Sequence, residues 1–506
     1  MGRVAVSQGT PPSLLPAQAD LVPRRSPRVP WHAARKPRAA RPLWLAAALL
    51  CGSSLACNLL SPAASAQDEA PAPPIPGALA TPDPSVAPLA PCPEPAPPLL
   101  ITLDVLPAPD LPIPAARVPF RDPVFGTCLV RVTDYAADLP DGDPPGGLKN
   151  EYARVQSFNA DESRLLVRGT SGSWYLYDAA SLQPLGALSL GIDPRWDAGD
   201  PNRLYSSDGT RLLALDLRTG ESETVRDFAP DFPGQSLAAV WMRYEGSPSA
   251  DGRTWGLMAE DENWETVAFL IYDLDQDRII ARRDLSGVPG AAGIDSVTIS
   301  PSGDYFLADF GDSYCERGAM GMDQAPCGVM VYDRELQTGR GLLRIGGHMD
   351  LAFDVTDREV AVFQDLDADT LSMVDLASGV VTSLWPIDFS HSPLGFHISG
   401  RAFERPGWAV VSTYSGAQPA ATWMDDEVFL VELKPNGRVV RLAHTRSWFA
   451  EGPVGYGEKD YWAEPHASTN RDLTRILFTS NWGEAGTELV DMYEIVLPAD
   501  WTEALP

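Results

Sequence analysis

One phrase recurs seven times along this 506-residue chain: a turn rich in Asp, Ser, Gly or Pro, an apolar strand, a gap, and a second strand ending in Tyr-Asp or an equivalent. The units are FNADESRLLVRG…WYLYDA, DPNRLYSSDGTRLLALDL, SADGRTWGLMAE…AFLIYDL, SPSGDYFLADF…GVMVYDR, DVTDREVAVFQ…LSMVDL, FERPGWAVVST…VFLVEL and TNRDLTRILFTS…DMYEIVL, the second being the most compressed. The strands are rich in Val, Leu, Tyr and Trp and so prefer a pleated sheet. The polar clusters between them make tight turns. One such unit cannot bury both of its faces, whereas a ring of them can. Starts about 40 to 65 residues apart match the period of propeller blades. The expected fold is therefore all-β, a seven-bladed β-propeller over residues 119–498 with a short tail at 499–506. The last unit lacks a fourth strand, and Gly126–Asp134 (GTCLVRVTD) supplies a spare one. Pairing of that segment with the last blade would close the ring and remove its exposed edges.

The first 66 residues read differently. Arg24, Arg25, Arg28, Arg35, Lys36, Arg38 and Arg41 precede the apolar run Pro42–Leu50, which small residues follow. That run is too short to span a bilayer, which takes about 20 apolar residues, and the order of features is that of an export signal. Two cleavage sites compete. Ala64-Ser65-Ala66 suits cleavage before Gln67, giving a free mature protein. Ser54-Leu55-Ala56-Cys57 resembles a lipobox, with Ser54 where Leu is usual, and would make Cys57 a lipidation site. Residues 67–118 are dominated by Pro and Ala and are expected to form a disordered, extended linker. No other apolar segment is long enough to cross a membrane. The expected locations are periplasmic, outer-membrane lipoprotein or secreted.

Cys92, Cys128, Cys315 and Cys327 remain beyond the signal, an even number in an exported chain and thus disulfide candidates. Cys315 and Cys327 flank one loop; a bridge there is worth on the order of 3 kcal/mol. A formal net charge of −29, with no Lys/Arg cluster in the mature part, argues against a nucleic-acid partner.

Three histidines stand at nearly the same step of three successive units: His348 in GGHMDLAFD, His397 in GFHISGRAF and His466 in EPHASTN. Equivalent positions of adjacent repeats are spatial neighbours, so the imidazoles should converge at one end of the channel. Three imidazoles can hold a divalent metal (manganese, zinc or calcium are the candidates), with Asp350 or Glu464 completing the shell. Arg154, Arg195 and Arg243 fall near the corresponding steps of the early units, and arginine forks bind carboxylates, so they are candidate ligand-binding residues. Tyr461 and Trp462 are candidates for a stacking platform near His466.

At these units the chain resembles the TolB-type and oligogalacturonate-lyase-type seven-bladed propellers, with SPSGDYFLA and ADGRTWGLM looking like their repeat. The segment EPHASTNRDLTRILFTSNWG…DMYEIVLP is similar to the last blade of oligogalacturonate lyases, where a His-Pro-His-Pro run precedes a turn and a strand reading roughly VLFTSD. By that resemblance His466 stands for the second histidine of the run, a metal ligand in the lyases. Glu464 replaces the first histidine, and Tyr461 falls where a glutamine ligand is expected. The repeat itself serves binding proteins, peptidase domains and lyases alike. With the ligand set altered and no complete catalytic motif, the expected function is that of a non-catalytic binding or scaffold protein of the cell envelope, its partner an acidic oligosaccharide or an envelope protein. The alternative is a metal-dependent polysaccharide lyase or related sugar-active enzyme.

Overall fold

Strands of four to eight residues dominate, because the units alternate or run apolar between turn residues that cannot continue a strand. A computed structural model describes residues 86–505, apart from 95–96, 141, 144–145, 312–314, 316–317, 393, 416–419 and 451–457. The export-signal reading, Cys57 and the start of the linker lie outside the described residues.

The strands form seven antiparallel sheets, six of four strands and one of five. In chain order they cover residues 148–188, 192–227, 237–284, 296–343, 349–386, 395–444 and 468–496, here called blades one to seven. The first six run from innermost strand outward by sequential hairpins. Seven buried clusters fill the seven interfaces between neighbouring blades. Trp241, Phe269, Phe306 and Tyr332 pack between blades three and four, and Val130, Leu477 and Met492 pack on Leu148, Val167 and Tyr175 between blades seven and one. That last interface makes the array a closed seven-bladed propeller.

Closure comes from the spare strand. Cys128–Arg131 lies antiparallel to Asp491–Val496, with Leu129 opposite Ile495 and Arg131 opposite Tyr493. Phe120–Arg121 adds a fifth strand outside it, which the sequence did not suggest. Arg131 joins Asp491 across this seam at 2.7 Å.

Around the axis the innermost strands approach closely. A Cβ at Gly246 would lie 2.1 Å from the Val297 carbonyl oxygen, and one at Gly400 2.2 Å from that of Leu351. Those contacts are too short for any side chain, which explains glycine there. Acidic residues tie neighbours together at the same level: Asp193 of blade two accepts from the Met242 and Tyr244 amides of the segment that follows the inner strand of blade three, and Asp350 of blade five accepts from the Gly400 amide of blade six at 2.7 Å.

The described part of the Pro/Ala-rich segment departs from the expectation of a disordered linker. It is extended, as its prolines dictate, yet it is strapped across the outer side of blades six and seven. Prolines have no N–H to offer, so the strap is held by its carbonyls. Arg441 donates to Thr102 and Asp104, Arg446 to Pro109, the Trp482 indole to Leu111 and Pro112, and Arg131 to Pro114. Cys92 is bonded to Cys128 of the closing strand, and Cys315 to Cys327.

Candidate functional site

His348, His397 and His466 sit where the innermost strands of blades five, six and seven begin. His348 directly precedes Met349–Phe353, His397 lies within Gly395–Ser399, and His466 stands two residues ahead of Ser468–Thr469. Their rings meet. The His348 and His397 centroids are 4.4 Å apart, and those of His397 and His466 are 3.8 Å apart.

Glu464 stands between the latter two. Its Oε2 atom is 2.9 Å from His397 Nε2 and 3.5 Å from His466 Nε2. One ligand atom from each of His397, Glu464 and His466 lies within 4.8 Å of the others. The trio is nearly closed to solvent, with relative exposures of 1, 1 and 7%. His348 stands beside it rather than in it. Its Nδ1 is hydrogen-bonded to the Phe396 carbonyl, which leaves Nε2 as the unprotonated nitrogen of the neutral ring.

The backbone at His466 is held in a sparsely populated conformation, φ +42°. The surroundings fix it there. Asn150 of blade one donates to the His466 carbonyl at 2.6 Å, while Thr479 donates from its hydroxyl to the Asn150 side chain and from its amide to the Pro465 carbonyl. The Ala467 amide in turn bonds to the Ser412 hydroxyl. Local strain held by a converging network is a common mark of functional sites.

Burial pushes the imidazoles strongly toward the neutral form. His397 and His466 are held well below the usual histidine range, first by desolvation and then by repulsion from neighbouring basic groups, Lys149 and Arg154 for His397, and the His397 and His348 rings, Lys149 and Arg168 for His466. His348 is lowered to about 3 by the same desolvation. Neutral imidazoles beside a carboxylate are the protonation state that binds a divalent metal. The Nδ1 atoms of His397 and His466 are buried without a hydrogen-bond partner. Two imidazole nitrogens and one carboxylate oxygen fit zinc, manganese or similar ions better than calcium, which takes oxygen ligands.

The remaining candidates are placed as follows. Asp350 is not in the trio: Arg401 captures it in a buried bidentate pair, with Nη2 2.7 Å from Oδ1. Arg154 pairs with Glu245 at 3.1 Å and reaches across the channel to the Gly347 carbonyl, so it steadies the turn ahead of His348. Arg195 pairs with Glu151 at 3.0 Å and gives its other donors to the Pro194, Tyr244 and Gly246 carbonyls. Arg243 donates to the Ile294 carbonyl and lies 3.6 Å from Glu260. The three arginines are thus engaged within the fold. Tyr461 and Trp462 lie on the 3-10 helix Glu458–Ala463, half-buried, with rings 4.9 Å apart.

Several participants escaped the sequence reading. Tyr152 of blade one lays its ring 4.6 Å from His466 and 5.6 Å from His397, and Tyr414 stacks on His397 at 5.3 Å. Lys149 and Arg168 flank the site from blade one. Blade one follows blade seven around the ring, so its inner strand had to face His466. The signal for them is ring closure itself, which sets the residues after the inner strand of blade one against His466.

Fold and cluster define a seven-bladed β-propeller with a two-histidine, one-carboxylate group at the end of the channel where the inner strands begin. In fold the chain is similar to an oligogalacturonate lyase solved in complex with manganese, at 16% identity over 76% of this chain and 96% of that one, with a TM-score of 0.50. An oligogalacturonate lyase from Vibrio parahaemolyticus aligns at 13% identity over 76% of this chain and 97% of that one, TM-score 0.49. TolB from Acinetobacter baumannii aligns at 17% over 60 and 65% of the two chains, TM-score 0.29. No protein-family model matches the sequence, and no curated protein matches it. At these identities the likeness is one of fold.

Proposed function

We propose that this chain is an exported, non-catalytic binding or scaffold propeller of the cell envelope that holds one divalent metal ion at the end of its channel through His397, His466 and Glu464. The observation that carries the reading is the meeting of three buried ligand atoms within 4.8 Å. The imidazoles would supply neutral nitrogen donors and Glu464 the charge, with the His348 ring stacked beside that of His397. The metal fixes the meeting of blades five, six and seven and presents a positive centre toward Tyr152. The basic stretch and short apolar run before residue 67 support export, by free release or by a lipid on Cys57.

A lyase would need a base and carboxylate-binding arginines facing one space. Of the arginines that stood as candidates for that role, Arg154, Arg195 and Arg243 are committed to Glu245, Glu151 and carbonyl oxygens, so none of these three is placed to hold a uronate carboxylate. Elemental analysis and calorimetric titration with zinc and manganese test the metal: one ion per chain is expected in the wild type and none in His466→Ala. Acidic oligosaccharides incubated with the manganese-loaded protein should yield no unsaturated-product absorbance. Absorbance that disappears in His466→Ala would replace binding by catalysis.

A further inference from the structure

We infer that Arg168, held against the Trp174 and Trp462 rings beside the histidine cluster, is the receptor for an oxyanion, a carboxylate or phosphate group of a ligand entering the end of the channel. The inference starts from the binding reading above but does not require the metal.

Arg168 lies on the second strand of blade one, Arg164–Gly169. Lys149 faces it from the inner strand and Trp174 from the third. Directly opposed residues share a face of the sheet, so Lys149, Arg168 and Trp174 form one row. The Arg168 guanidinium carbon is 5.8 Å from the Trp174 ring centroid and 5.6 Å from that of Trp462, and the Lys149 ammonium is 5.8 Å from the same Trp462 centroid. Indole faces attract cations and fix their position.

What the Arg168 guanidinium lacks is a hydrogen-bonded anion. Its side chain is half-buried and makes no hydrogen bond or ion pair with any described residue, although the buried Glu151 carboxylate feels its charge, in a chain of 68 acidic against 39 basic residues. Elsewhere around the channel the guanidinium groups are paired, Arg154 with Glu245, Arg195 with Glu151 and Arg401 with Asp350. The acid nearest in sequence, Glu151, offers its carboxylate to Arg195 and its carbonyl to Lys149. Shortage of carboxylates therefore does not explain a guanidinium left here without a hydrogen-bonded anion. A planar guanidinium with free N–H groups binds an oxyanion in two parallel hydrogen bonds. The field of Arg168 reaches His466, so an anion bound there would lie against the cluster.

The test uses the full chain stripped of metal with a chelator and dialysed. Tryptophan fluorescence is followed during titration with sodium acetate and with inorganic phosphate, against sodium chloride at matched ionic strength. A saturable response to acetate or phosphate but not chloride is expected, and which of the two binds tighter identifies the group. Arg168→Gln should weaken it by at least about tenfold, and Arg168→Lys should fall between. Both variants should stay folded and still take up metal, because no described carboxylate loses a hydrogen-bonded partner. A response no different from chloride, or unchanged in Arg168→Gln, overturns the proposal. Failure of the metal reading shows separately, as a wild type that takes up no ion whatever the anion result.

Discussion

The Nε2 atom of His397, on the inner strand of blade six, lies 2.9 Å from the Oε2 atom of Glu464, which is 67 residues away at the entry to blade seven. Neither residue is exposed by more than 1%. A carboxylate held between two imidazoles in a dry site is stabilised by a proton or by a metal. Glu464→Gln keeps the shape and removes the charge. It should weaken metal binding by at least about a hundredfold, and Tyr152→Phe should leave it near wild type. Calorimetric titration of the two variants checks this; equal affinities would remove Glu464 from the ligand set.

Acid should unfold this protein through its histidines. His348 and His444 are lowered from 6.5 to about 3, and His397 and His466 well below 6.5, all chiefly by desolvation. The unfolded chain takes up protons near 6.5 that the folded chain refuses. The stability they contribute is complete above that pH and is lost as pH falls toward 3, at about 1 kcal/mol per histidine for each pH unit well below 6.5. Glu427 and Asp491, raised by burial to about 7 and about 6, act with the opposite sign. Urea melts at pH 7.5 and 5.0 should show a net loss, smaller in His397→Gln. A wild type more stable at pH 5.0 would contradict it.

Arg154 should matter for stability rather than ligand contact. Removing it strands the buried Glu245 carboxylate 3.1 Å away, so Arg154→Met should cost about 3–5 kcal/mol. Replacing both, Arg154→Met with Glu245→Leu, should cost much less. A double-mutant cycle by denaturant unfolding measures the difference, and additive costs would refute the pairing argument.

The Cys92–Cys128 bond closes 36 residues of chain onto the strand that completes the ring. Its loss in Cys92→Ser/Cys128→Ser should cost about 4 kcal/mol, against about 3 for the Cys315–Cys327 loop. Amide exchange should accelerate at 128–131 in the first case only. Uniform protection there would mean the strap does not secure the seam.

The ring was legible because strand and turn signals are local. Val, Ile and aromatic runs between Asp-Gly and Ser-Pro clusters need no distant partner to be recognised, and the closing strand followed from counting. The histidine convergence was legible for the same reason, since equivalent steps of adjacent repeats must meet. Partners fixed by distant segments were not. Asp350 lies two residues from His348, yet Arg401 of the next blade captures it. Arg154 and Arg195 stood as candidate ligand-binding residues, and their actual partners could not be named because Glu245 and Glu151 lie 91 and 44 residues away in sequence. Arg168, inside an ordinary strand, gave no signal at all. The strap was misread because proline-rich composition predicts a chain without donors. The fold answers that composition with side-chain donors from Arg441, Arg446 and Trp482.

The strand Cys128–Arg131 completes a blade whose inner three strands begin only at Ser468. During synthesis this strand appears early and must wait, edge bare, until nearly the whole chain has been made. Blades one to six can assemble in order, but none of them can offer it the neighbour it finally takes. A message truncated before Asp491 would therefore yield a protein with six intact sheets and both rims of the gap open. Such a product should be sticky and short-lived, so the strand Asp491–Val496 decides whether the ring survives.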